Sequence, residues 1–169
     1  MESYIDKIAD MGACQPALDW LRKQNYATLQ EAWDNCERGD WMLWLYGRTA
    51  PSAPWSEERK PLVLAACACA RLSLPKFEAR YPNDSRPRRC IEATEAWCRG
   101  EATQEEVLVA RRNAYAYADA AYANAALLAA YATYAADATY AADATYAAAY
   151  ANAAAVKLVH SVLPCPVLA

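Results

Sequence analysis

The sequence predicts an all-α protein: a bundle of short helices followed by a long Ala/Tyr-rich C-terminal helix or helical hairpin. Three observations lead there. All four glycines stand at the ends of apolar-periodic stretches, where a left-handed backbone is wanted. Two T-x-x-E capping boxes, Thr28–Glu31 and Thr103–Glu106, mark helix starts. From Ala114 to Val156 there are 43 residues, 24 of them Ala and eight Tyr, with no Gly or Pro to break a helix. Strand alternation is nowhere sustained.

In chain order, residues 3–10 form a first helix stopped by Gly12, and Pro16 suits the first turn of a second, which carries Leu18, Trp20 and Leu21. The Thr28 box opens a helix holding Leu29, Trp33 and Cys36 and ending at Gly39. Asp40 then caps the apolar "WMLWLYG", closed by Gly47. "RTAPSAPW" is a loop because its prolines cannot continue a helix. "PLVLAACACARL", Pro61 to Leu72, is apolar on most faces and predicts a buried central helix. "YPNDSRP" is a second loop. It leads into "RRCIEATEAWCRG", with Ile91, Thr94, Trp97 and Cys98 on the inner face and Gly100 as the stop. The second box then starts the last helix.

A chain of 169 residues fits one domain, 1–169, divided into a short-helix bundle over 1–100 and an Ala/Tyr-rich helical segment over 103–161. A net charge of −3 argues against duplex nucleic acid as a partner. Seven cysteines with no C-x-x-C point to reduced, small, buried thiols in a cytoplasm rather than to a disulfide framework. "MESYIDKIADMG" has no basic n-region or apolar h-region, so no secretory signal is expected. The Ala/Tyr segment is long enough to span a membrane. However, each central Asp would cost about 2.5–3.5 kcal/mol there, so no membrane is expected either.

Drawn as one straight rod, residues 104–160 would reach about 85 Å, against a radius of gyration of about 15 Å for a compact chain of this length. The segment therefore folds into a hairpin or packs against a copy of itself, which predicts a homo-oligomer through the Ala/Tyr-rich helix. Its period-six repeat turns about 240° per unit, so it is no heptad seam. Ala on every side suits close helix packing, with Tyr rings filling the gaps.

Catalytic residues are sparse. His160, the single histidine, stands near a helix C-terminus, an ordinary place for a cation. No Ser or Cys sits in a nucleophile motif, no cysteine pair can clasp a metal, and no cofactor is implied. The chain does not read as an enzyme. "NDSRPRRC" is more informative. Residues before proline avoid α geometry, so Arg86 falls just outside a helix whose first residue is Pro87. Arg86, Arg88 and Arg89 then crowd a positive helix end, each unfavourable by roughly 0.3–1 kcal/mol. A bound anion would explain them. A structural network in which Asp84, Glu92 and other carboxylates neutralise them would do so too. Trp41, Trp44 and Leu45 share a face and read as core, or else offer a flat surface for a base beside Arg48. Arg71, ending an apolar helix, is a further candidate cation.

The motifs "AC..AL.W" (Ala13–Trp20), "AW..C.RGDWMLWL" (Ala32–Leu45), "LVLAACACARL" (Leu62–Leu72) and "D.RPRR.IEA.EAW.RGE" (Asp84–Glu101), followed by an Ala-rich tail, resemble the immunity-protein-5-like family. Its members occur in bacterial toxin loci and are widespread in phage genomes. The resemblance covers most of residues 10–112, with the tail similar in composition only. It is carried by Trp33, Arg38, Asp40, Trp41, Trp44, Asp84, Arg86, Pro87 and Trp97, and it implies an all-helical, non-enzymatic protein. In a phage setting the cytoplasm would be the host's.

The function expected first is sequestration of an anionic nucleotide immune signal, a counter-defence sponge in phage–bacterium conflict. Its ligand-binding residues would be Arg86, Arg88, Arg89, Asp84, Trp41, Trp44, Arg48 and Arg71. The alternative is an immunity protein that neutralises a toxin or defence protein by direct protein–protein binding, through a patch such as Glu57, Glu58, Glu101, Glu105 and Glu106.

Overall fold

The computed structural model describes residues 3–50, 53–121 and 152–168. Among them it shows nine α-helices, one 3₁₀ turn and no strand. The helices are α1 (Tyr4–Asp10), α2 (Gln15–Gln24), α3 (Leu29–Asp34), α4 (Gly39–Thr49), α5 (Lys60–Arg71), α6 (Leu74–Arg80), α7 (Arg86–Cys98), α8 (Gln104–Ala121) and α9 (Asn152–Val162). The 3₁₀ turn, Glu57–Arg59, runs straight into α5.

α5 is the hub. Its sequence leaves almost no polar face, and Leu62, Val63, Ala65, Ala66, Cys67, Cys69 and Ala70 are all fully buried. A helix apolar nearly all round must be wrapped. Here α4, α6, α7, α9 and the 3₁₀ turn all pack on it. α7 sends Cys90, Ile91, Thr94 and Trp97 inward, as its spacing predicts, and α8 lies along its flank. The buried Thr94 hydroxyl donates to the Cys90 carbonyl at 2.7 Å, so it enters the core satisfied. α9 returns to α4 and α5 with Ala155, Val159 and Leu163 buried. Both ends of the Ala/Tyr-rich segment thus pack on the same bundle. The expectations for 122–151 themselves (a long helix or hairpin, and an oligomer built on it) lie outside the described residues.

The helix-start signals act locally. Ser3 and Asp6 close a capping box on α1. At α3 the Thr28 hydroxyl accepts from Glu31 N at 3.2 Å, but the Glu31 carboxylate takes Ala27 N at 2.9 Å, one residue earlier than the motif predicts. At α8 the predicted box is complete: Glu106 N donates to the Thr103 hydroxyl at 3.3 Å, and Thr103 N to the Glu106 carboxylate at 2.7 Å.

Four expectations need correction. Only Gly12 (φ +88) and Gly100 (φ +78) use left-handed backbone; Asn25 (φ 52) supplies it at the end of α2. Gly39 does not end α3. It is the first residue of α4, with Arg38 at the cap in place of Asp40, and it is buried against α9. A Cβ there would stand 3.0 Å from the Ala155 Cβ and 3.2 Å from its carbonyl carbon. Gly47 lies within α4, which continues to Thr49. α6 occupies a stretch that carries no expectation from the sequence, and its seven residues bury only Leu74 and Phe77. Finally, Cys14 is exposed and Cys98 and Cys165 are half-buried, so four of the seven thiols, not all, are buried small apolar groups.

Two outcomes follow. Gly39→Ala forces α4 and α9 apart and is expected to cost about 1–3 kcal/mol in urea unfolding, coupling with Ala155→Gly in a double-mutant cycle. Gly12→Ala, with open space around its Cβ, is expected to cost only the left-handed strain, about 1–2 kcal/mol, and to show no such coupling. Burial pushes the Cys69, Cys90 and Cys98 thiols up to about 12, and Cys67 well above its ordinary value. A disulfide reagent should therefore modify exposed Cys14 first and reach the buried Cys67, Cys69 and Cys90 only as fast as the chain unfolds. Rapid native-state labelling at Cys67 would contradict this packing.

Candidate functional site

The arginines at the start of α7 stand against the helix dipole, and the structure shows what holds them. Arg86 N donates to Asp84 Oδ1 at 3.1 Å, and the Arg86 guanidinium forks onto the same carboxylate at 2.9 and 2.7 Å. Asp84 thus serves the free N–H of the first turn and neutralises the arginine together. Arg88 forks onto Glu78 of α6 at 2.6 and 2.7 Å, with Glu92 at 3.8 Å. Arg71, at the end of α5, forks onto Glu95 of α7 at 2.7 and 2.6 Å. The network tied to α7 therefore draws its main carboxylates from Asp84, Glu78 and Glu95. Of the two that sequence reasoning offered, Asp84 takes the expected role, and Glu92 is only a distant partner. Arg89 differs from its neighbours: it is exposed and makes no ion pair among the described residues. With Arg86 it lines one side of a groove of about 300 Å3, whose other side is Glu105, Glu106, Val109 and Asn113 of α8.

The tryptophans form a second region on α2 and α4. Trp20 packs its ring 6.0 Å from both Tyr26 and Trp41. Arg38 stacks its guanidinium 4.5 Å over Trp41 while forking onto Asp40 at 2.8 and 2.6 Å. Arg48 lies 5.9 Å over Trp44 and donates to the Met11 carbonyl at 2.6 Å. Trp41 and Trp44 are half-buried: their inner edges roof an apolar cavity of about 50 Å3 over Ile8, Leu21, Leu29, Met42 and Leu45. Their outer edges border an open cleft of about 290 Å3 flanked by Gly12, Cys14, Arg38 and Asp40. They are core on one side and surface on the other. No described hydrogen bond or ion pair joins this region to the arginines of α7, so the eight candidate residues divide into Arg71, Asp84, Arg86, Arg88 and Arg89 on one side and Trp41, Trp44 and Arg48 on the other.

A third cluster escaped sequence reasoning. Trp55 stacks edge-on against Trp97 at 5.1 Å, and Lys60 places its ammonium 5.4 Å over the Trp97 ring while pairing with Glu57 at 2.7 Å. Trp55 has φ 58, a conformation that costs a non-glycine residue about 1–2 kcal/mol. The ring stack, worth about 0.5–1.5 kcal/mol, offsets much of that. Nothing in "APSAPW" announces a left-handed tryptophan, because the stabilising ring comes from α7. Exposed Glu57 and Glu58 adjoin this cluster in sequence, and Glu101 is exposed and pairs with Arg99 at 2.7 Å. His160 is half-buried, edge-on to Trp33 at 6.1 Å, a packing position at the end of α9. Among the described residues no group of three or more His, Cys, Asp or Glu is placed to hold a metal, and no helix is long and apolar enough to cross a membrane.

The family model for Imm-5 like putative immunity protein matches residues 53–162. No curated protein matches the chain. No solved structure matches it either. The matched span holds Trp55, the arginines of α7 and the Ala-rich tail, and it leaves α1–α4 outside. The family is therefore the one the motifs resemble, with a shifted extent. The tail, similar in composition only, falls inside the match, whereas Trp33, Arg38, Asp40, Trp41 and Trp44 fall outside it.

The hydrogen bonds from Arg88 and from Arg86 hold the carboxyls of Glu78 and Asp84 below their ordinary values of 4.5 and 3.8. A carboxyl depressed in the folded state stabilises it fully above its unfolded value and loses that contribution as pH falls through the folded one. Stability should decline on acidification from about pH 5 downward. Glu78→Gln and Asp84→Asn should each flatten that decline in urea unfolding at stepped pH. An acid limb as steep in both variants as in the parent would show that the pairs contribute nothing.

Proposed function

The chain belongs to the Imm-5 like putative immunity protein family, and on that premise we propose that it neutralises a toxin or defence protein by direct binding, without turnover or cofactor. The family match over residues 53–162 carries this reading. The stacked pair Trp55–Trp97 supports it as an anchor in the matched span, since binding energy concentrates on tryptophan and arginine held rigid before association. Exposed Glu57, Glu58 and Glu101 suit a partner face rich in lysine and arginine. Bound there, the immunity protein would act by coverage, and its acidic rim would speed the encounter more than it tightens the complex.

Sequestration of an anionic nucleotide is supported less well. The guanidinium forks of Arg71, Arg86 and Arg88 are filled by carboxylates, so a phosphate would have to displace a bidentate partner at each. Arg89 is open, but Glu105 and Glu106 line the same groove and repel an anion.

Affinity capture of the full chain from lysate of a toxin-expressing host, followed by calorimetry with the captured protein, tests the proposal. We expect a stoichiometric complex that Trp55→Ala weakens about tenfold or more with the fold intact by circular dichroism, and no heat from a panel of cyclic and linear nucleotides. Stoichiometric nucleotide binding that Arg89→Ala abolishes, with no protein captured, would replace this reading by the other.

A further inference from the structure

The groove between α7 and α8 carries both signs of charge on one small face. Glu106, Val109, Ala110 and Asn113 follow one another at helical spacings of three, one and three, which places them on a single stripe of α8. Val109, at the middle of that stripe, is 41% exposed, one of the few large aliphatic side chains left outside the core among the described residues. Ala110 beside it is small enough to let another backbone come near. Arg86 and Arg89 form the opposite rim, one turn apart on α7.

Arg86 is held by Asp84 and Glu106 by its cap, but one charge on each rim, Arg89 and Glu105, stands toward solvent. Arg89 is exposed and makes no ion pair among the described residues. Among the described residues Glu105 reaches only Arg112, at 3.2 Å, with 61% of the Arg112 side chain and 72% of the Glu105 side chain exposed, a pairing that contributes little. A free anion would meet Glu105 and Glu106 here. A basic peptide would meet Arg86 and Arg89. A second copy of the same face meets neither obstacle. Under a two-fold axis the basic rim of one α7 lies on the acidic rim of the other α8, with the two Val109 side chains closing at the centre. Presenting both signs around an apolar middle is what an isologous contact requires.

We propose that the α7–α8 face is a two-fold interface with a second copy of this chain. It pairs Arg89 with the partner's Glu105 and leaves Trp55 and its neighbours for a foreign partner. This contact does not involve residues 122–151 and does not depend on the toxin reading.

Sedimentation equilibrium of the full chain over a wide concentration range tests it. The expected result is a reversible species of twice the 18.6 kDa chain mass. Arg89→Glu and Glu105→Arg are each expected to raise the dimer dissociation constant about tenfold or more. An equimolar mixture of the two variants should associate again, because the reversed charges then match. Glu106 is left intact because it caps α8 and its loss would confuse folding with association. An unchanged far-ultraviolet circular dichroism spectrum of each variant, which reports helical content and not association, separates the two effects. A monomer at every concentration, a dimer indifferent to both reversals, or variants that do not associate when mixed would each overturn the proposal.

Discussion

Everything else in the fold is arranged around the burial of α5. A helix whose Leu62, Val63, Ala65, Ala66, Cys67, Cys69 and Ala70 all leave water keeps only a narrow outer stripe through Lys60, Leu64, Ala68 and Arg71, so its neighbours must surround the rest of it. It can have so many because its side chains are small. Alanines and cysteines let α4, α6, α7 and α9 all reach it, since small side chains allow close helix approach. The same logic recurs where α9 meets α4: Gly39 carries no Cβ, and Ala155 carries only a methyl. Small residues therefore set the distances between helices, and the few large ones, Leu43, Ile91 and Leu163 among them, fill what remains.

Charge then fastens the outer helices to that hub. Arg71 with Glu95 links α5 to α7, and Arg88 with Glu78 links α6 to α7, both through bidentate forks. Each pair is partly exposed, so its contribution to stability is modest, but a fork fixes orientation as well as distance. This changes what the arginines can do. Three at the positive end of a helix invite an anion only while they lack partners, and α6, folded back beside α7, supplies one of the missing carboxylates. What the surface retains for recognition is of another kind: rigid tryptophans, exposed carboxylates and Arg89, which makes no ion pair among the described residues. A protein partner uses such features better than a phosphate does.

The legibility of these features in the sequence follows the range of the interactions behind them. The capping residues Thr28 and Thr103 act within one turn, and the structure places them at helix starts. Asp84 and Arg86 are two residues apart, and their pairing was among the readings the residues allowed. Glu78 and Arg88 are ten residues apart and belong to different helices. Their pairing depends on the angle at which α6 returns, which no local pattern encodes. Trp55 is more extreme: its left-handed backbone is held by Trp97, 42 positions away in the sequence. Gly39 misled because glycine serves two ends, positive φ and close approach, and only the position of α9 tells them apart.

By itself, then, the sequence determined the helical class, the helix starts at Thr28 and Thr103, the buried central helix and the family. These follow from propensity, capping and hydrophobic periodicity, which act within a few residues along the chain. The tertiary structure alone decided that Gly39 serves contact and not a turn, and that Glu78 and Glu95 hold Arg88 and Arg71. It also decided that Arg89 makes no ion pair among the described residues, and that half-buried Trp55 rests edge-on against the buried Trp97. Each of these is set by which helix lies beside which, and that is fixed by how the side chains around α5 fill space together.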